Sequence, residues 1–220
     1  MKKKRKAFCV AVFLLVAFVL WTVAVCSVDV KAIGPQDSTV GFATVNRFFH
    51  NLTGVNMHLY TVTDWLGLVP IGFVMGFALL GLVQWIKRKH FLMVDYSVLV
   101  LGGFYIVVMA AYFFFEMFAV NYRPVLINGH LEVSYPSSTT MLVMCVMPTA
   151  VMQLNARIKS NVLKRCISSV IIVFTAFMVI GRLVSGVHWF TDIIGGSLLS
   201  TGLVLTYRVA VMHWALGLKK

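Results

Sequence analysis

The stretch Gly181-Arg182-Leu183-Val184-Ser185-Gly186-Val187-His188-Trp189-Phe190-Thr191-Asp192 joins two long apolar runs, 166–181 and 189–212, of a chain that is 60% hydrophobic and 12% charged. A charged side chain near hydrocarbon costs roughly 3 kcal/mol or more. Arg182, His188 and Asp192 gathered at such a joint therefore mark a place where polar chemistry is kept. The runs on either side decide the fold class. With 220 residues and so few charges, the chain falls outside the range of soluble domains and reads as an integral membrane protein.

Crossing the ~30 Å hydrocarbon layer as a helix takes about 20 apolar residues. Working outward from 181–192, six segments approach or meet that length: 7–28, 66–86, 96–115, 137–154, 166–181 and 189–212. The runs are continuous rather than alternating, which predicts helices and not a β-barrel. The expected fold is all-α, a polytopic bundle of six transmembrane helices in one domain over 1–220, because the connections are short and no internal repeat or low-complexity linker divides the chain.

Basic loops are retained on the cytoplasmic side of a membrane. Of the 19 Lys and Arg residues, all but Lys31, Arg47, Arg123 and Arg182 fall before the first span, after the second, between the fourth and fifth, or after the sixth. Both termini are therefore expected in the cytoplasm. The net charge of +12 is mostly this topology signal, together with attraction to anionic headgroups, and does not point to nucleic acid. The N-terminal run resembles a signal peptide, but it is longer than the usual apolar core of one and is read as a span. The Lys-rich start and the lack of organellar signals suggest a bacterial cell membrane. Cys9, Cys26, Cys145 and Cys166 lie in or beside spans at unrelated spacings, which reads as buried free thiols rather than disulfides or a zinc site.

Residues 29–64 form the longest non-spanning segment and are expected on the extracytoplasmic face. Ser38 or Thr39 is placed to cap a short interfacial helix with Phe42, Val45, Phe49 and Leu52 on one side and Asn46, Arg47 and His50 toward water. The alternative is an irregular lid. Asn51-Leu52-Thr53 spells a glycosylation sequon and is read as chance. Gly72 and Gly76, Gly102 and Gly103, and Gly195, Gly196 and Ser197 read as helix-packing positions, and the 12 Met residues as adaptable apolar filler.

In this topology three polar segments share the outer face: Tyr122-Arg123-Pro124, Tyr135-Pro136-Ser137-Ser138-Thr139-Thr140, and the 181–192 stretch. Two arginines in a charge-poor setting suit an anion clamp, because guanidinium can hold phosphate oxygens in pairs and stays charged at working pH. Pro136 with Ser137 and Ser138 begins the fourth span, and a helix start offers free N–H groups to an anion. Histidine and aspartate four residues apart share a helix face, where a carboxylate can orient an imidazole for nucleophilic or base chemistry. Taken singly, these are also ordinary caps and interfacial anchors. Their joint placement on one face favours a shared phosphate site.

These residues resemble the type 2 phosphatidic acid phosphatase (PAP2) superfamily of membrane lipid phosphatases. Arg182, His188 and Asp192 match its third motif, with Gly181 where serine is usual; Pro136-Ser137-Ser138 approaches the second; Arg123-Pro124 ends the first. The resemblance covers the chain from about residue 95 onward, and the first two spans only by hydropathy. It implies that His188 is a phosphohistidine-forming nucleophile and Asp192 its partner, with Arg123, Arg182, Ser137 and the N–H groups near Ser138 holding the phosphate, and with neither metal nor cofactor. Related haloperoxidases use the same cradle for vanadate in soluble proteins, which this composition argues against. The family's second-motif histidine is Thr139 here and its first-motif lysine is Glu116. Threonine is a very poor proton donor, so the acid role passes to another group, with Glu116, if buried, and then His130 and Glu132 as candidates. The expected activity is hydrolysis of a lipid phosphate or diphosphate, of prenyl diphosphate or phosphatidylglycerol phosphate type, at the outer leaflet. The alternatives are a phosphotransferase that keeps the histidine nucleophile and a catalytically silent protein that binds lipid phosphate.

Overall fold

The computed structural model describes residues 2–217, with side chains described between residues 4 and 212. Eight α-helices are found among the described residues: α1 (Lys2–Ser27), α2 (Ala43–Thr53), α3 (Met57–Leu66), α4 (Leu68–Arg88), α5 (Tyr96–Met117), α6 (Ser138–Arg157), α7 (Asn161–Val184) and α8 (Phe190–Gly217). Six helical segments among the described residues are long and apolar enough to span a bilayer, and α3 and α4 together make the second of these, Met57–Arg88. The chain is therefore a multi-pass, six-span membrane protein. The expected side chains Lys2, Lys3, Lys219 and Lys220 lie outside the residues whose side chains are described.

Half of the apolar windows of α6 and α8 is buried inside the protein, against 22% or less in the other four spans. These two helices form the centre, with α1 laid along α8 and α7 along α6. Their inner faces carry the polar residues that a lipid-facing helix could not hold, among them Thr140, Thr149 and Gln153 on α6 and Asp192 and Ser200 on α8, all buried. Gln153 hydrogen-bonds Tyr207, Ser97 and Arg157, and Arg157 and Arg88 reach Asp95, so the far end of the bundle is tied by a separate polar network. Of the four free cysteines only Cys145 is buried; the other three face outward, contrary to the expectation of burial.

The segment after α1 differs from the expectation in three ways. It is shorter, because the second span begins at Met57 and Gly67 only breaks the helix where the sequence suggested a start. A two-residue ladder pairs β1 (Lys31–Ala32) with β2 (Thr39–Val40). Neither Ser38 nor Thr39 caps α2. Asp29 does so instead, through its carboxylate to the Thr44 N–H at 2.7 Å and its carbonyl to the Ala43 N–H at 2.9 Å. Of the expected apolar side of α2, Val45 and Leu52 are exposed, whereas Phe42 and Phe49 are half-buried and stack on Trp21 and Phe190; His50, expected toward water, is half-buried against Trp189.

Asn46, expected to face water, is fully buried. Its amide donates to the Gly41 carbonyl at 2.8 Å and to Thr191 Oγ1 at 3.0 Å, and accepts from the Thr191 N–H at 3.1 Å. Asparagine carries both a donor and an acceptor, so it satisfies one of the backbone N–H groups that the start of α8 leaves unpaired. Asn46→Ala removes all three bonds at a site closed to water, and the loss of a partner for buried groups costs about 1–3 kcal/mol. A thermal midpoint in detergent several degrees below wild type is expected; an unchanged midpoint would contradict this tie between α2 and α8.

Candidate active site

Two turns converge at the end of the bundle where α5 and α7 stop and α6 and α8 start. The first is a hairpin over residues 121–134. The Arg123 N–H donates to the Glu132 carbonyl and the Ser134 N–H to the Asn121 carbonyl, both at 2.9 Å, and Tyr122 lies opposite Val133. The hairpin closes at Asn128-Gly129, both with positive φ, 51° and 80°, the pairing that a tight two-residue hairpin turn favours. Alternation along the strands puts Asn121, Arg123, Glu132 and Ser134 on one face. That face meets the start of α8.

The second turn is 185–189. Gly186 has φ 67°, and a Cβ there would overlap the Gly54 carbonyl, so only glycine lets the chain turn this sharply beneath residues 54–56. Trp189, the residue before α8, donates its N–H to Asp192 Oδ2 at 2.8 Å. A carboxylate three residues into a helix thus caps the helix start. His188 precedes this cap and lies outside the helix, so the cap, rather than the turn-by-turn spacing expected from sequence, brings it to Asp192.

Imidazole and carboxylate are nevertheless not in direct hydrogen-bond contact. His188 Nδ1 is 3.6 Å from Asp192 Oδ2. Ser134 Oγ lies 3.1 Å from the same Nδ1 and hydrogen-bonds the same carboxylate oxygen. Asn121 reaches Asp192 Oδ1 at 3.5 Å. The opposite ring nitrogen, Nε2, is 3.3 Å from Arg123 Nη1.

Both arginines are withdrawn from solvent, Arg123 at 7% exposure and Arg182 at 1%. Arg123 Nε is 3.0 Å from Glu132 Oε2 but at an angle that makes no hydrogen bond, and Arg182 Nε likewise has no hydrogen-bond partner among the described residues. Arg182 contacts Thr63 Oγ1 at 3.4 Å and Asp64 Oδ1 at 3.6 Å. The Tyr60 ring serves both guanidinium groups, its centroid 4.8 Å from Arg182 Cζ and 5.8 Å from Arg123 Cζ, a range in which a cation is attracted to a ring face. α3 thus covers the arginines. The close approach of α3 to α7 also explains the glycine at 181, where an added Cβ would stand 2.8 Å from the Thr63 methyl carbon.

The structure sets His188 against Arg123 and joins it to Asp192 through Ser134, and Arg182 shares the Tyr60 ring with Arg123. Ser137 is buried, its hydroxyl accepts from the Thr140 N–H at 3.4 Å as a helix cap, and its own N–H donates to the Asp192 carbonyl at 3.1 Å. Ser138 and Thr139, in the first turn of α6, are half-buried. Glu116 is exposed in the last turn of α5, which removes the burial on which its expected role as an acid depended. It lines a small recess with Ser134 and Ser138. His130 is exposed at the hairpin turn, and Glu132 is engaged with Arg123. The sequence reading missed Asn121, Ser134, Tyr60, Thr63 and Asp64. The Asn128-Gly129 pair was the one available signal for the hairpin.

Burial, reinforced by the charges of Arg123 and Arg182, pushes the His188 imidazole well below its ordinary pKa of 6.5. The ring is neutral at neutral pH and has a lone pair to use. Since the unfolded chain takes up this proton near pH 6.5 and the folded protein resists it, the stabilisation from a neutral His188 is complete above that pH and is lost on acidification.

The model of the PAP2 superfamily matches residues 113–216, a region that holds the hairpin, α6, α7 and every motif residue named above. The crystal structure of the first transmembrane PAP2 type phosphatidylglycerolphosphate phosphatase from Bacillus subtilis is similar over 93% of this chain and 96% of that one, with a TM-score of 0.59 and 20% sequence identity. At that identity the likeness is one of fold. No curated protein matches the chain.

Nitrogen spectra of histidine-labelled protein in detergent test the electrostatics of the site. His188 should remain neutral at pH 6; a midpoint at or above 6.5 would contradict the buried, cation-flanked setting.

Proposed function

We propose that this chain is a PAP2 superfamily membrane phosphatase that hydrolyses a lipid phosphate or diphosphate at the extracytoplasmic leaflet through a phosphohistidine on His188. One observation carries the reading: a buried, neutral imidazole whose Nε2 faces an arginine 3.3 Å away and whose Nδ1 side is anchored toward Asp192. Arg123 and Arg182, each holding an Nε without a hydrogen-bond partner among the described residues, supply the charge that a phosphoryl group would meet. Buried donors aimed at a developing charge are worth far more than the same donors in water.

In the reaction, the Nε2 lone pair forms a bond to phosphorus while the bond from phosphorus to the leaving oxygen breaks and that oxygen takes the electron pair. Water then hydrolyses the phosphohistidine. Asp192 stabilises the imidazolium character that develops, and the arginines hold the equatorial oxygens. Sidedness is supported by charge: Arg88, Arg157 and Lys164 stand at the opposite end of the bundle from His188, and basic ends stay inside.

The vacant acid role narrows the substrate. Thr139 donates protons poorly, Glu116 is exposed, and Glu132 is paired with Arg123. Loss of general acid catalysis costs about 10²- to 10⁴-fold, and least for a good leaving group. A lipid diphosphate is therefore the favoured substrate class. The Bacillus subtilis protein of similar fold is a phosphatidylglycerolphosphate phosphatase, which makes that headgroup the second candidate. The same departures favour two further readings, a phosphotransferase that retains His188 and a silent lipid-phosphate binder.

Phosphate release by purified protein over a panel of lipid phosphates distinguishes these. Wild type should release phosphate from a prenyl diphosphate, His188→Ala should lower the rate by at least about 10³-fold, and Thr139→His should raise the rate on monoesters selectively. A trapped phosphohistidine without release identifies a transferase. Binding without either, and unaffected by His188→Ala, identifies a silent binder and overturns the proposal.

A further inference from the structure

The geometry points to Ser134 as a positioning residue that transmits the hold of Asp192 to His188 and selects the imidazole tautomer. The inference rests on the nucleophilic role proposed for His188. Ser134 is 2% exposed and Asp192 is wholly buried, so their hydrogen bonding is not shared with bulk solvent. The carboxylate is acceptor-only when ionised. The Ser134 hydroxyl therefore gives its single proton to Asp192 Oδ2, a bond the structure contains, and has only lone pairs left for His188 Nδ1 at 3.1 Å. Nδ1 must then carry the ring proton. Nε2 keeps the lone pair, and it is Nε2 that faces Arg123.

The direction of the chain follows from proton count: Nδ1–H to Ser134 Oγ, and Ser134 Oγ–H to the carboxylate. When Nε2 bonds to phosphorus, the Nδ1 proton stays on the ring, and the positive charge that appears there is met by a hydroxyl already polarised by Asp192. The 3.6 Å separation of Nδ1 from Oδ2 shows why an intermediary is needed. The hairpin positions it: the Ser134 N–H is bonded to Asn121, which itself reaches Asp192, so the hydroxyl is held on both sides.

The test pairs a spectroscopic with a kinetic readout. Nitrogen spectra of histidine-labelled wild type should show His188 as the Nδ1–H tautomer, with a nuclear Overhauser contact from that proton to the Ser134 methylene; Ser134→Ala should lose the contact and mix the tautomers. The kcat for phosphate release should fall on the order of 10- to 100-fold with KM within about twofold, and Ser134→Thr, which restores the hydroxyl, should recover most of it. Should Ser134→Ala not fold, the wild-type tautomer and contact still decide. A wild-type Nε2–H tautomer, or a Ser134→Ala protein with unchanged tautomer and kcat, overturns the inference. Absence of phosphate release by wild type with the tautomer intact would instead count against the phosphatase reading and leave the bridge standing.

Discussion

A single buried carboxylate, Asp192, organises this end of the protein. It accepts the N–H of Trp189, the hydroxyl of Ser134 and the amide of Asn121, and its backbone carbonyl receives the N–H of Ser137. One residue thus joins the start of α8, the start of α6 and both strands of the hairpin. A carboxylate withdrawn from water is tolerable only with such a complete set of donors. That requirement places the neighbouring turn, and with it His188, where two guanidinium groups converge.

The same physics shapes the cover over the site. Two arginines at 7% and 1% exposure need compensation in the absence of an anion, and the protein supplies it from Glu132, Asp64 and the Tyr60 ring. On the proposed reading, a phosphoryl group entering the site would exchange these weak or poorly aligned contacts for paired, charge-assisted ones. Glu132 and Asp64 are both partly exposed, so releasing them returns solvated carboxylates to water at little cost.

Much of the architecture was legible in hydropathy and in the spacing of a few charged residues, because spans and basic loops are local properties of the chain. Arg123, Arg182, His188 and Asp192 stood out because charge is rare in such a sequence. Ser134, Asn121 and Asn46 did not, since their meaning lies in partners 58, 71 and 145 residues away. The hairpin was hidden by Arg123-Pro124, which interrupts strand alternation, although Asn128-Gly129 announced its turn. The second span was expected from residue 66, close to the start of α4, but Gly67 keeps helical angles, so α3 precedes α4 within one span and covers the arginines. Whether Glu116 is buried was not legible from its place at the end of a span; in the structure the residue is exposed.

A crystal structure with orthovanadate, which takes the geometry of phosphorus during displacement, tests the central claim most directly. The account predicts vanadium within bonding distance of His188 Nε2, with the Arg123 and Arg182 guanidinium groups on its oxygens and Ser134 still between His188 and Asp192. Vanadate bound away from that nitrogen, or an imidazole reoriented so that Nδ1 meets the metal, would contradict it.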